Sequence, residues 1–411
     1  MAVPLEQAGT PSYKEVPGSV AAPRGFRAAG LHIGLKRYRK DLALIVSQER
    51  AAAAATFTTN RVQAAPVHVT REHVQGGFLR AIVCNSGNAN ACTGPQGMAD
   101  ARRMAELTAA ALGVAPQEVA VASTGVIGVP LPMDKIASGI HKAAQLLSTE
   151  GGRDAAEAIM TTDKVPKELA IELEIKGRPV RIGAIAKGSG MIHPNMATML
   201  AFVTTDAAIE PAALQAVVRG SVERTYNRIS VDGDTSTNDM VVVMANGMAG
   251  HAPLTLEDPE LETFAQALDY VNGALARSIV RDGEGATKLV EIRVVGARSE
   301  EDAVQIGRSI SRSNLVKTAI YGEDANWGRI LCAAGYAGVE FDPNRVDVYI
   351  GELLVAQNGA GLSFDEAKAK EILHEPDVVL TVDLKAGPAA ATVWTCDLTY
   401  EYVKINASYR T

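Results

Sequence analysis

Apolar and polar positions along the chain mark most of its elements before any chemistry is considered. Asp41–Ser47 (DLALIVS) and Ala54–Thr58 (AATFT) are short apolar runs, the pattern of two short buried strands. Met98–Leu112 (MADARRMAELTAAAL) returns Ala, Met and Leu at helical spacing. A further helix is expected to open at Asp134, with Ala143, Ala144 and Leu147 later along it. Leu169–Ile175 (LAIELEI) alternates, Lys176–Gly177 supplies a turn, and Val180–Ile185 resumes, which together predict a hairpin. Pro211–Thr225 predicts a helix, Met240–Met244 (MVVVM) a buried strand, and Leu289–Val295 a strand buried on one face. Pro376–Lys385 and Ala391–Val403 predict a closing antiparallel pair across Gly387–Pro388. Residues 1–30, rich in Pro, Gly and Ala, read as irregular. Strands and helices mix with hairpin-like neighbours, so the expected class is α/β (α+β), layered sheets flanked by helices, rather than a pure doubly wound sheet.

Composition narrows the function classes. The 411 residues are 47% hydrophobic and 21% charged, an ordinary globular balance with ample material for a core. A net charge of -7 argues against a protein that works by neutralising phosphates, and 5% aromatics argues against base-stacking platforms, so no nucleic-acid partner is expected. No apolar run approaches the roughly 18 residues of a membrane span. The start MAVPLEQAGTPSYKEV lacks a basic stretch followed by an apolar one, so a cytoplasmic location is expected. Cys84, Cys92, Cys332 and Cys396 form no CxxC, and no His pair has zinc spacing. Reduced, mostly buried thiols and no metal follow as the expectation.

Three segments are dense in small and polar residues: Cys84–Gly97 (CNSGNANACTGPQG), Ser123–Gly128 (STGVIG) and Lys187–Leu200 (KGSGMIHPNMATML). None matches a phosphate-binding loop, so they are either tight turns or places where backbone N–H groups approach a ligand. In the third, a Gly/Pro/Asn loop joins strand-like Val180–Ala186 to strand-like Met199–Thr204 and ends in Ala197–Thr198. A Thr hydroxyl held against its preceding carbonyl can attack it. Cleavage then frees an α-amine, whose ordinary pKa near 7.7–8.0 suits it to act as base for that hydroxyl. Taken alone, an Ala-Thr pair is a very weak signal, and Thr198 by itself reads as the start of a strand. Asp232, Asp234 and Asp239 in DGDTSTND look superficially like a metal loop but lack the closing Glu, and read as a polar wall or structural turn. Lys187 alone reads as a surface lysine, and Glu284 in RDGEG as a turn acid or helix start. Asn326–Arg329 (NWGR) reads as a helix cap.

KGSGMIHPNMATML, CNSGNANACTG, STGVIG and the terminal INASYRT together resemble the ornithine acetyltransferase (glutamate N-acetyltransferase) family of arginine biosynthesis, of the bifunctional type, and the likeness runs to the last residue. The resemblance implies a self-cleaving, N-terminal-nucleophile-like acyltransferase. The cut falls between Ala197 and Thr198, leaving chains 1–197 and 198–411 that associate as α2β2. It implies transfer of acetyl from N2-acetylornithine to glutamate, with no cofactor. Bifunctional members also take acetyl-CoA as co-substrate, and the sequence leaves that open here. Thr198 corresponds to the nucleophile, Thr124 and Gly125 to the oxyanion pair, and Thr161, Lys187, Glu284, Asn406 and Thr411 to substrate-contacting positions. Lys187 suits an α-carboxylate and Glu284 an ornithine ammonium. His193 is expected to be structural, because an N-terminal Thr carries its own base. The rival reading is an N-terminal-nucleophile aminopeptidase or amidohydrolase on the same scaffold.

Overall fold

The computed structural model describes residues 13–193 and 199–408. Among them, the larger sheet holds β1 (Lys14–Glu15), β2 (Phe26–Leu31), β3 (Leu42–Phe57), β4 (Phe78–Asn88), β5 (Val119–Val126), β6 (Lys167–Ile175), β7 (Arg178–Lys187), β8 (Leu200–Thr205) and β10 (Met240–Ala245). The smaller holds β9 (Ile229–Ser230), β11 (Leu289–Ala297), β12 (Asp347–Ile350), β13 (Leu353–Gln357), β14 (Ala360–Gly361), β15 (Asp377–Asp383) and β16 (Ala389–Cys396). Helices α1 (Ala65–Val74), α2 (Gly94–Leu112), α3 (Met133–Gln145), α4 (Gly152–Ile159), α5 (Pro211–Arg224) and α6 (Glu260–Arg281) belong with the first sheet. Helices α7 (Glu300–Arg312), α8 (Asn314–Tyr321), α9 (Trp327–Gly335) and α10 (Glu366–His374) belong with the second, and α11 (Tyr400–Ser408) ends the described chain. The layered α/β class is as expected.

The larger sheet runs β1-β6-β7-β8-β10-β3-β4-β5, with β2 beside part of β3. The two short strands expected within 41–58 are one strand. Buried halves of β3 flank an exposed Gln48–Arg50. β2 pairs with the first half (Phe26↔Ser47) and β10 with the second (Met240↔Phe57), so the polar break falls between two partners rather than in a turn. β2 also corrects the irregular reading of residues 1–30. In the Ala run, Ala52 and Ala54 join one core, while Ala51, Ala53 and Ala55 join the core on the opposite side. Methyl side chains bring α5 close enough for the Gln215 amide to bond the main chain of Ala55 in both directions, at 3.3 and 3.2 Å.

The β6–β7 hairpin turns where expected. Lys176 and Gly177 sit at φ 50° and 69°, the left-handed pair that matches the twist of a two-residue hairpin loop. β8 is buried at every residue, antiparallel to β7 and parallel to β10.

In the smaller sheet β11 alternates as expected, with Val290, Ile292 and Val294 in the core formed with α7 to α9. The expected closing pair is not a hairpin. β15 runs parallel to β11 and β16 antiparallel to it, so β11 lies between them. A turn signal cannot reveal that a much earlier strand will be inserted. β16 also stops at Cys396, and the strand expected as far as Val403 is replaced beyond Thr399 by α11.

Candidate active site

The end of β5, the end of β7 and the starts of β8 and β10 open into one cleft, which α11 borders. Thr124, Gly125, Thr161, Lys187, Glu284 and Asn406 all line it. These are the six expected site residues that the structure describes, drawn together from positions 124 to 406. Ala197, Thr198 and Thr411 fall outside the described residues. Met199 and Leu200, which follow Thr198, line the same cleft.

Gly125, at φ 131°, lies where β5 meets the bulged end of β4. A side chain there would run into the main chain of Gly87 and Asn88. Asn238 holds this end in place, its amide donating to the Ala89 and Ser123 carbonyls at 2.6 and 2.8 Å. Lys187 is not the surface lysine its local sequence suggests. It is 8% exposed, and its Nζ donates to Thr124 Oγ1 at 3.3 Å. The Thr124 hydroxyl proton is therefore free to point elsewhere.

Glu284 is 5% exposed rather than a surface turn acid. Its main-chain N–H donates to the Ser189 carbonyl at 3.0 Å, and Asn406 Nδ2 donates to its Oε2 at 2.8 Å. Among the described residues no cation lies within ion-pair distance of this carboxylate. Gly190 faces it so closely that a Cβ there would collide with the carboxyl group.

Behind the cleft is a buried charge cluster that sequence reasoning missed. Asp163 Oδ1 accepts from Gly188 N at 2.8 Å and from Lys167 Nζ at 2.7 Å, while its Oδ2 accepts from Thr161 N at 2.9 Å. Lys167 Nζ also reaches Asp282 Oδ2 at 2.6 Å. Burial pushes the Asp163 carboxyl up, but the nearby Lys187 and Lys167 charges and these hydrogen bonds outweigh it and hold the group well below the usual carboxylate range. No short motif joins Asp163, Lys167 and Asp282. The only signal for the two acids is their place beside expected residues, in MTTD and RDGEG, and Lys167 has none.

The acidic loop forms part of the wall, as expected. Asp232 accepts from Met191 N at 2.6 Å and Ile192 N at 2.8 Å, tying down a loop in which Met191 adopts φ 56°. Tyr402, another residue without a sequence signal, donates to Asp232 at 3.3 Å. Among the described residues, no group of three or more His, Cys, Asp or Glu is arranged to hold a metal ion. Asp239 is 3% exposed in the cleft wall, and burial raises its pKa well above the ordinary carboxylate value.

His193 contacts Ser230 Oγ at 3.1 Å and the Arg308 guanidinium at 2.8 Å. Burial, with the charges of Arg308 and Arg312, pushes its pKa down to about 3, which leaves it neutral. Two of the four thiols, Cys92 and Cys332, are exposed, which corrects the mostly buried expectation. Asn326 caps α9 as expected, accepting from Arg329 N at 3.2 Å. No helix among the described residues is long and apolar enough to cross a membrane.

The ArgJ family matches residues 27–411. The chain belongs to the ArgJ family. It is 58% identical over 397 residues to the "Arginine biosynthesis bifunctional protein ArgJ" of Symbiobacterium thermophilum, covering 96% of this chain and 99% of that one. The protein of the same name from Caldanaerobacter subterraneus is 54% identical over 398 residues, again covering 96% and 99%. A crystal structure of the Bacillus halodurans arginine biosynthesis bifunctional protein is 48% identical with a TM-score of 0.51. It covers 52% of this chain and 100% of that one.

Proposed function

We propose that the chain is a self-cleaving acetyltransferase that moves acetyl from N2-acetylornithine to L-glutamate through an ester on Thr198. What carries the reading is a matched pair of buried charges in one cleft, the Lys187 ammonium and the Glu284 carboxylate, neither in an ion pair among the described residues. An ornithine donor presents the complement of both, an α-carboxylate and a side-chain ammonium. Asn406 steadies Glu284, and Thr161 borders the same space.

In the proposed reaction the Thr198 hydroxyl attacks the acetyl carbonyl while its proton passes to the α-amine of the same residue. The Thr124 hydroxyl and the Gly125 N–H stabilise the oxyanion, and such donors are worth about 3–4 kcal/mol each. The C–N bond then breaks, the proton moves to the leaving nitrogen, and ornithine departs. The amino group of glutamate attacks the ester, giving N-acetylglutamate and restoring the hydroxyl.

Self-cleavage at Ala197–Thr198 exposes the amine this scheme needs. Residues 198–411 are just over half of the chain, the share that the Bacillus halodurans chain covers. Retention of both pieces, an α2β2 assembly, a cytoplasmic location and acetyl-CoA as a second donor belong to the same proposal, the last supported by the word "bifunctional" in the relatives' names. No metal or organic cofactor takes part.

Mass spectrometry of purified protein tests the cut, and Thr198→Ala should stay one chain without activity. Incubation with N-acetylornithine should acetylate the Thr198 fragment, and added glutamate should discharge it, with parallel double-reciprocal plots. Free acetate formed without glutamate at the same rate would make the protein a hydrolase instead. Intersecting plots with no trapped ester would remove Thr198 from the transfer.

A further inference from the structure

The buried cluster behind the cleft has one cation for two carboxylates. Lys167 is 1% exposed at its side chain, Asp163 0% and Asp282 6%. Asp163 binds the main chain of Thr161 and of Gly188, the neighbour of Lys187. Asp282 Oδ2 accepts from Lys164 N at 3.0 Å, and the Asp282 carbonyl accepts from Ser189 Oγ at 2.6 Å. Ser189 in turn accepts the Glu284 N–H. The segments carrying Thr161, Lys187 and Glu284 therefore meet at Lys167.

Lys187 sits close enough for its charge to act on Asp163, yet no ion pair joins them. Asp163 Oδ1 is taken by Lys167 and Gly188, and Lys187 turns to Thr124 instead. We infer that Lys167 is a positioning residue for substrate carboxylates: by neutralising Asp163 from behind, it leaves the Lys187 ammonium available in the cleft. Without Lys167, Asp163 is a buried carboxylate short of a cation, and Lys187, whose charge already acts on it, is the replacement that the cleft would lose. Capture of Lys187 by Asp163 would cost the site its carboxylate anchor while leaving Glu284 in place. The proposal rests on the acetyltransferase reading only through its choice of ligand, an α-amino acid.

The test is calorimetric binding of ornithine and of putrescine, which lacks the carboxylate, to the processed protein. Lys167→Met should weaken ornithine binding at least tenfold and change putrescine binding less than threefold. Lys167→Arg should bind both as the wild type does. Lys167→Met combined with Asp163→Asn removes the competing carboxylate and should recover most of the lost ornithine affinity. Equal weakening toward both ligands, or a double variant worse than Lys167→Met, would overturn the inference, because loss of general packing does both. These measurements involve no acetyl transfer. A protein that binds as described but transfers nothing would sink the acetyltransferase reading and leave the role of Lys167 standing.

Discussion

At the scale of single residues, the cleft depends on groups whose environment overrides their usual behaviour. Gly190 is there because Glu284 needs the space of a side chain. Gly190→Ala must displace the carboxylate, and should raise the KM for N-acetylornithine about tenfold, roughly 1.4 kcal/mol, with little change in thermal stability. Steady-state kinetics with melting curves checks this, and an unchanged KM would mean Glu284 does not bind that substrate. Asn406→Ala removes one hydrogen bond to Glu284 and should cost about 0.5–1.5 kcal/mol in kcat/KM. His193 gives a pH signature. Its folded pKa of about 3 lies below the ordinary 6.5, so the unfolded chain binds more protons between those values. Its contribution to stability is fully present above about pH 6.5 and is lost as pH falls toward 3. Chemical denaturation from pH 7 to 4 should show stability falling less steeply for His193→Gln than for the wild type. Parallel curves would mean the histidine titrates in the fold as it does in the unfolded chain.

At the scale of elements, α11 matters for the cleft rather than for the core. None of its residues is buried, and Tyr400 and Val403 are widely exposed, yet Tyr402 and Asn406 reach Asp232 and Glu284. Truncation after Lys404 keeps Tyr402 but removes Asn406 and Thr411, and should leave self-cleavage intact and impair transfer, roughly 5- to 150-fold for the loss of these two expected substrate contacts at about 1.4 kcal/mol per decade. Full activity in a truncated, processed protein would mean the tail contributes nothing to substrate binding.

For the whole molecule, the expected cut runs through one sheet. Residues 1–197 supply β1 to β7, while β8 and β10 of 198–411 fill the gap between β7 and β3. Both of these strands are buried at every residue, so separating the pieces would expose apolar cores on both faces of the sheet. The processed protein should run as two bands under denaturing conditions and as one species in native gel filtration, inseparable without denaturant. Spontaneous separation of the fragments in buffer would contradict this arrangement.

Local signals in the sequence were enough for elements whose partners are near or whose pattern is self-contained. The β6–β7 hairpin has its turn pair at Lys176–Gly177, α2 and α5 have helical periodicity, and β10 has an unbroken apolar run. The site was legible because its motifs are long: KGSGMIHPNMATML and STGVIG specify a family, where an isolated Lys187 or Glu284 reads as surface. Three things were decided only by tertiary structure. β3 continues through a polar Gln48–Arg50 because β4 pairs with both of its halves across a bulge there, while β2 and β10 take one half each. β11 separates β15 from β16 because pairing at long range is set by core packing rather than by the connecting turn. In the Asp163–Lys167–Asp282 cluster, Lys167 meets Asp282 across 115 positions of sequence, where no spacing rule applies, because buried carboxylates need a cation and the fold brings one to them.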